Sequence, residues 1–196
     1  MLVWCWGLIA AIGMVVVQIH SARPGSQGVT PERWPPETQV TRDPGRPTLL
    51  IFVDPRCPCS SASVAEFGSI MDHAGVKVAA RVVLSRSSPD ASAWGERDFR
   101  SELSDTQPLS VIEDDLGVES RRFGIETSGH VLLYDLRGRL LFSGGITAAR
   151  GHRGENYGRD LVLERILDSV ASRRHHPVFG CPLARSREAI AEDASR

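Results

Sequence analysis

The chain is 196 residues long, with a formal net charge of −1 and the apolar content of an ordinary globular protein. That length fits one domain with appendages. The balanced charge gives no case for a nucleic-acid partner, and four cysteines are too few to staple a fold of this size with disulfides.

In chain order, the first feature is an uncharged apolar run from Leu2 to Ile19. It is just long enough to cross a bilayer, which takes about 20 apolar residues in a helix. Trp4 and Trp6 suit a membrane interface. A secretory signal peptide would want a basic residue before the run and a small-x-small cleavage site after it. Neither is present around Ile19-His20-Ser21-Ala22, so residues 1–20 read as an uncleaved transmembrane anchor, with membrane contact through residues 2–19. Cys5 lies inside this run and has no part in the expected chemistry. Arg23 and Arg33 follow the span and weigh toward a cytoplasmic domain. A two-cysteine site is of most use outside the reducing cytosol, so the expectation is a single-pass protein with its domain on the extracytoplasmic side. Residues 21–46 are rich in Pro, Gly, Ser and Thr, with Trp34-Pro35-Pro36 at their centre, and read as an extended linker.

The folded domain is expected over residues 47–173. Thr48–Val53 is a continuous apolar run, which predicts a strand buried on both faces. Cys57-Pro58-Cys59 follows it. Val64, Phe67 and Met71 then recur at helical spacing over Ser60–His73. Val76–Leu84 predicts a second strand, Ser88-Pro89-Asp90 a helix start running to about Leu103, and Leu109–Ile112 a short strand. Leu116–Phe123 reads as a helical turn. Val131–Tyr134 and Leu140–Phe142 flank Asp135-Leu136-Arg137-Gly138 as a hairpin, and a last helix opens at Asn156-Tyr157-Gly158 and runs to Val170. Residues 174–196 form a tail with Pro177, Gly180 and Pro182, then a helix-prone segment from Ala184.

Two thiols between a buried strand and a helix start make a candidate redox site. The free N–H groups and positive dipole end of a helix stabilise a thiolate, the reactive form of cysteine. Pro58 suits a first helical turn, where its missing N–H costs nothing. Arg56 offers further support to the Cys57 thiolate, or is a solvated surface residue. A Cys-x-Cys disulfide closes a small, strained ring, so a Cys57–Cys59 couple would be comparatively oxidising.

The β-α-β-α-β-α-β-β-α order, with a dithiol closing the first strand, resembles the thioredoxin-like fold: an α/β three-layer sandwich with a mixed central sheet. The segment Phe123-Gly124-Ile125 through Val131-Leu132-Leu133-Tyr134-Asp135 with Gly138 resembles the second half of that family's membrane-tethered, extracytoplasmic branch. A wider resemblance, to proteins labelled RedB, rests on Cys57-Pro58-Cys59, Thr127-Ser128-Gly129-His130, Ser143-Gly144-Gly145-Ile146-Thr147 and Arg150-Gly151-His152. Two departures stand out. The family's usual pair is Cys-x-x-Cys, which leaves Ser60 in the place of the second cysteine, and its usual cis-proline is replaced here by Ser128-Gly129.

The resemblance implies that the penultimate strand lies antiparallel to the first, which brings His130 near Cys57. A glycine-rich rim is expected from Gly144 to Gly154. Cys181, within Val178-Phe179-Gly180-Cys181-Pro182, reads as a buried structural residue, a resolving thiol or a third metal ligand. The leading functional expectation is a membrane-anchored thiol–disulfide oxidoreductase without a cofactor, acting through Cys57 and Cys59 on protein thiols or disulfides. The second is a copper-binding protein similar to the Sco chaperones, with Cys57, Cys59 and His130 as a soft ligand set. The third is a non-catalytic interaction domain. The Pro-x-x-x-Thr-x-x-Cys pattern of peroxiredoxins is absent before Cys57.

Overall fold

The computed structural model describes residues 2–86, 109–167 and 175–183. Helix α1 (Leu2–Ala22) is followed by an extended stretch and then by strand β1 (Thr48–Val53) and helix α2 (Ser60–Ala74). Strands β2 (Ala79–Arg86) and β3 (Leu109–Asp115) come next, then the short helix α3 (Val118–Arg122). Strands β4 (His130–Tyr134) and β5 (Leu140–Gly145), helix α4 (Tyr157–Leu167) and strand β6 (His175–His176) complete the order. The helix expected from Ser88 to Leu103, the end of the last helix and the segment from Ala184 lie outside the described residues.

The six strands form one mixed sheet in the order β3-β2-β1-β4-β5-β6. β1 runs parallel to β2 and antiparallel to β4, while β2–β3 pair parallel and β4–β5 antiparallel. This is the thioredoxin-like α/β sandwich expected from the sequence. β1 is central because all six of its residues are buried, as a strand covered on both faces requires. Successive side chains alternate between faces. Leu49, Ile51 and Val53 pack with Val64, Phe67, Ile70 and Met71 of α2 and with Leu161 and Val162 of α4. Leu50 and Phe52 face the other way, against Phe123, Leu132, Tyr134 and Leu140. The β4–β5 hairpin turns at Asp135–Gly138, where Gly138 takes a positive φ of 72° and donates its N–H to the Asp135 carbonyl at 2.9 Å.

The stretch expected to be a linker, residues 21–46, is extended but not free. It lies along the second face of the sheet. Trp34 makes edge contacts with Phe123 and Tyr134 at 5.3 and 5.1 Å, and Val40 is buried in the same cluster. The Tyr134 hydroxyl donates to the Pro31 carbonyl at 2.9 Å, and backbone N–H groups of Trp34 and Leu140 reach Gly138 and Glu32. The physical unit therefore includes part of the chain before Pro47. At the other end, the expected tail contributes β6, which lies parallel to β5.

Candidate functional site: a three-thiol cluster

β1 ends at Val53, and the chain turns sharply into α2. The Cys57 N–H donates to the Asp54 carbonyl at 3.0 Å, and the Ser60 N–H returns to the Cys57 carbonyl at 3.0 Å. Cys57 is buried and sits just before the helix, while Cys59 immediately precedes its first residue and is half-exposed. Ser60 is buried, and its hydroxyl donates to the Asp54 carbonyl at 2.9 Å and pairs with the Ser128 hydroxyl at 2.8 Å. Ser128, in the place of the usual proline, also accepts the Asp54 N–H at 2.8 Å. Two serine hydroxyls thus tie the turn before α2 to the segment before β4.

A third thiol arrives from the C-terminal segment. The Ser128 N–H donates to the Cys181 carbonyl and the Leu183 N–H to the Glu126 carbonyl, both at 2.9 Å, with an antiparallel bridge between Thr127 and Pro182. Gly180 approaches so closely that a Cβ there would meet the Ser128 carbonyl oxygen at 1.9 Å. The Arg150 guanidinium donates to the Gly180 carbonyl, and the Gly25 N–H holds the Val178 carbonyl at 2.8 Å. Held this way, the sulfurs of Cys57, Cys59 and Cys181 all lie within 4.8 Å of one another.

The three free thiols share charge unequally. Burial pushes the Cys57 thiol up. Hydrogen bonds from the Cys181 side chain and backbone, the Cys59 backbone and Ser60 more than offset it, and the net shift is downward. Cys59 moves up, first through burial and then through the neighbouring Cys57 charge and hydrogen bond. Cys181 is pushed up to about 12 by burial, by its hydrogen bond to Cys57 and by the charges of Cys57 and Cys59, with Arg150 acting in the opposite direction. The cluster therefore concentrates its first negative charge on Cys57. Arg56, expected to support that charge, turns instead to Asp54, donating from Nε and Nη2 at 3.2 Å. A cation beside the cluster is Arg150, from the glycine-rich stretch between Gly144 and Gly154.

His130 opens the strand beside β1, opposite Phe52, as the topology implied. Its ring is not in the donor group formed by the three sulfurs. A Cβ at Gly129 would strike Ser63 of α2, so the next residue along β4 points to the opposite face. There His130 is fully buried, and its Nε2 pairs with the Ser143 hydroxyl at 2.8 Å. Burial, with the charge of His175 added, lowers its pKa to about 3. Among the described residues, the sulfurs that lie together are those of Cys57, Cys59 and Cys181, and the His130 ring is outside that group. Cys181, read from the sequence as a buried structural residue, a resolving thiol or a metal ligand, is half-exposed and lies beside the other two sulfurs. Ser128 is the site residue the sequence pointed to only as an absence, through its missing proline.

No family model matches the chain, and no curated protein does. Among solved structures, it is similar to an uncharacterized conserved protein from Geobacillus kaustophilus, with a TM-score of 0.60 and 15% identity over 85% of this chain and 94% of that one. A hypothetical protein from Sinorhizobium meliloti matches with a TM-score of 0.59 and 19% identity, over 85% of this chain and 98% of the other. A secreted disulfide oxidoreductase of Mycobacterium tuberculosis matches with a TM-score of 0.44 and 18% identity, over 62% of this chain and 81% of its own.

Proposed function

We propose that the chain is a membrane-anchored thiol–disulfide oxidoreductase in which Cys57 is the nucleophile. The observation that carries this reading is a single thiol of lowered pKa, next to a helix start, with two further thiols in reach of its sulfur. The Cys57 thiolate attacks a partner disulfide, forming a mixed disulfide and expelling one partner thiolate. A neighbouring thiol then attacks Cys57 Sγ and expels the other. Partners are protein thiols or disulfides, and the organic chemistry needs no cofactor. In this reading the chain is a tethered, extracytoplasmic member of the thioredoxin-like group, of the kind labelled RedB. The test is reduction of the insulin interchain disulfides by the full chain in detergent, recharged with dithiothreitol. Cys57→Ser should abolish catalysis. Equal rates for Cys57→Ser and wild type would instead favour a non-catalytic interaction domain.

A second reading is favoured by the same three sulfurs. Three converging thiolates suit a soft cation such as copper(I), with Cys181 in the position first expected of His130. Anaerobic titration of the reduced full chain with copper(I) against a competing chelator checks it. One tightly held copper per chain, lost in Cys181→Ser and kept in His130→Gln, is the expected result for this reading.

A further inference from the structure

We propose that Cys181 is the disulfide partner of Cys57, and that residues 180–183 are a built-in segment that delivers it. This rests on the oxidoreductase reading and changes which thiol completes the reaction.

Three observations converge. First, the sulfurs of Cys57 and Cys59 lie within 4.8 Å of each other, but a bond between them would have to close inside a single turn. The Ser60 and Ala62 N–H groups bond back to the carbonyls of Cys57 and Cys59, so both cysteines already belong to a helical turn. Closing a Cys-x-Cys ring would strain that turn, whereas a bond to a cysteine from another part of the chain would not. Secondly, Cys181 approaches from a separate segment, bridged to Thr127 through Pro182. Its sulfur lies within 4.8 Å of the Cys57 sulfur, and its side chain and backbone lower the Cys57 pKa. Thirdly, the delivering segment is held at every step. Ser128 and Glu126 pair with its backbone, Arg150 grips the Gly180 carbonyl, and Gly25 grips the Val178 carbonyl. A segment held only to fill space would not need a glycine pressed against the Ser128 carbonyl at the residue before its cysteine.

The step balances as follows. The Cys57 thiolate attacks a partner disulfide. One Cys57–partner S–S bond forms, the partner bond breaks, and the departing partner thiolate takes up a proton from water. With Cys57 now uncharged, the negative charge that opposed ionisation of Cys181 is gone, and Arg150 stays beside it. Cys181 gives its proton to water and its sulfur attacks Cys57 Sγ. The Cys57–Cys181 bond forms and the second partner thiolate leaves. Two protein thiols lose two electrons, and the partner disulfide gains them. Cys59 remains a free thiol beside the new bond.

Trypsin places Cys57 and Cys59 on one peptide, residues 57–77, and Cys181 on another, residues 175–185. The reduced full chain in detergent is treated with oxidised glutathione, quenched with acid and mapped without reduction. The expected result is a crosslink joining the two peptides in wild type and in Cys59→Ser. Cys181→Ser should lose the crosslink and accumulate glutathione on Cys57. An internal disulfide within 57–77 in wild type, with Cys181→Ser clearing its glutathione adduct at the wild-type rate, would overturn the assignment and leave the oxidoreductase reading standing. No glutathione adduct or disulfide at Cys57 in any of the three proteins would overturn both.

Discussion

The Cys57 thiol is shifted downward by hydrogen-bond donors rather than by a nearby cation. The sulfur is buried, and burial alone would keep it protonated. Hydrogen bonds from Cys181, the Cys59 backbone and Ser60 reverse that. Alkylation of the reduced full chain at graded pH, read by peptide mass, should show Cys57 labelled at pH values where an ordinary thiol is inert. Cys59 and Cys181 should follow only at higher pH. Equal labelling of all three at each pH would contradict the charge distribution. His130 sets a second pH dependence, of stability rather than reactivity. Folded, it stays neutral down to about 3, whereas the unfolded imidazole titrates at 6.5. Between those values the unfolded chain binds a proton that the folded chain does not. Stability is thus lost as pH falls through this window, by at most about 1.4 kcal/mol per pH unit. Urea midpoints at pH 7 and pH 5 should differ more in wild type than in His130→Gln, which cannot titrate.

At the scale of elements, the segment that carries Cys181 is the part most easily disturbed. Gly180→Ala would push a methyl group into the Ser128 carbonyl. The expected outcome is a chain with unchanged circular dichroism in which Cys181 is alkylated faster and Cys57 more slowly at neutral pH. Unchanged rates at both would show that the segment has slack. This segment also marks the limit of what the sequence discloses. β1, α2 and the β4–β5 hairpin were legible because burial and periodicity leave a pattern in side-chain types. The Cys57-Pro58-Cys59 position was legible for the same reason. The bridge of Thr127 to Pro182 is made by backbone atoms, which leave no such pattern. Residues 21–46 escaped in a related way. Trp34 and Val40 are too few apolar anchors to show a period, yet they suffice to seat the stretch on the sheet. His130 shows the opposite case, where topology gave the right neighbour and strand alternation gave the wrong face.

At the scale of the molecule, helix α1 is long and apolar enough to cross a membrane, and the side chains described along it are largely exposed. A signal sequence has the same length and apolar character. Fusing alkaline phosphatase or a cytosolic fluorescent protein after Arg46 should give active phosphatase and no fluorescence if the domain lies outside. The reverse pattern would place the domain in the cytosol and remove much of the case for a stable disulfide there. Chain released from membranes after cleavage near Ala22 would identify a signal peptide instead.

The Arg150 N–H donates to the Ser21 carbonyl at 3.1 Å, and the same residue's guanidinium holds Gly180, next to Cys181. One arginine therefore joins the last turn of α1 to the rim of the thiols. With α1 in a bilayer, the stretch after it cannot act as a long fishing line, because it is laid down on the domain from Gly25 onward. The sulfurs would work at a fixed, short height above the lipid headgroups. On the proposed oxidoreductase reading, client cysteines would then be those exposed close to the bilayer surface.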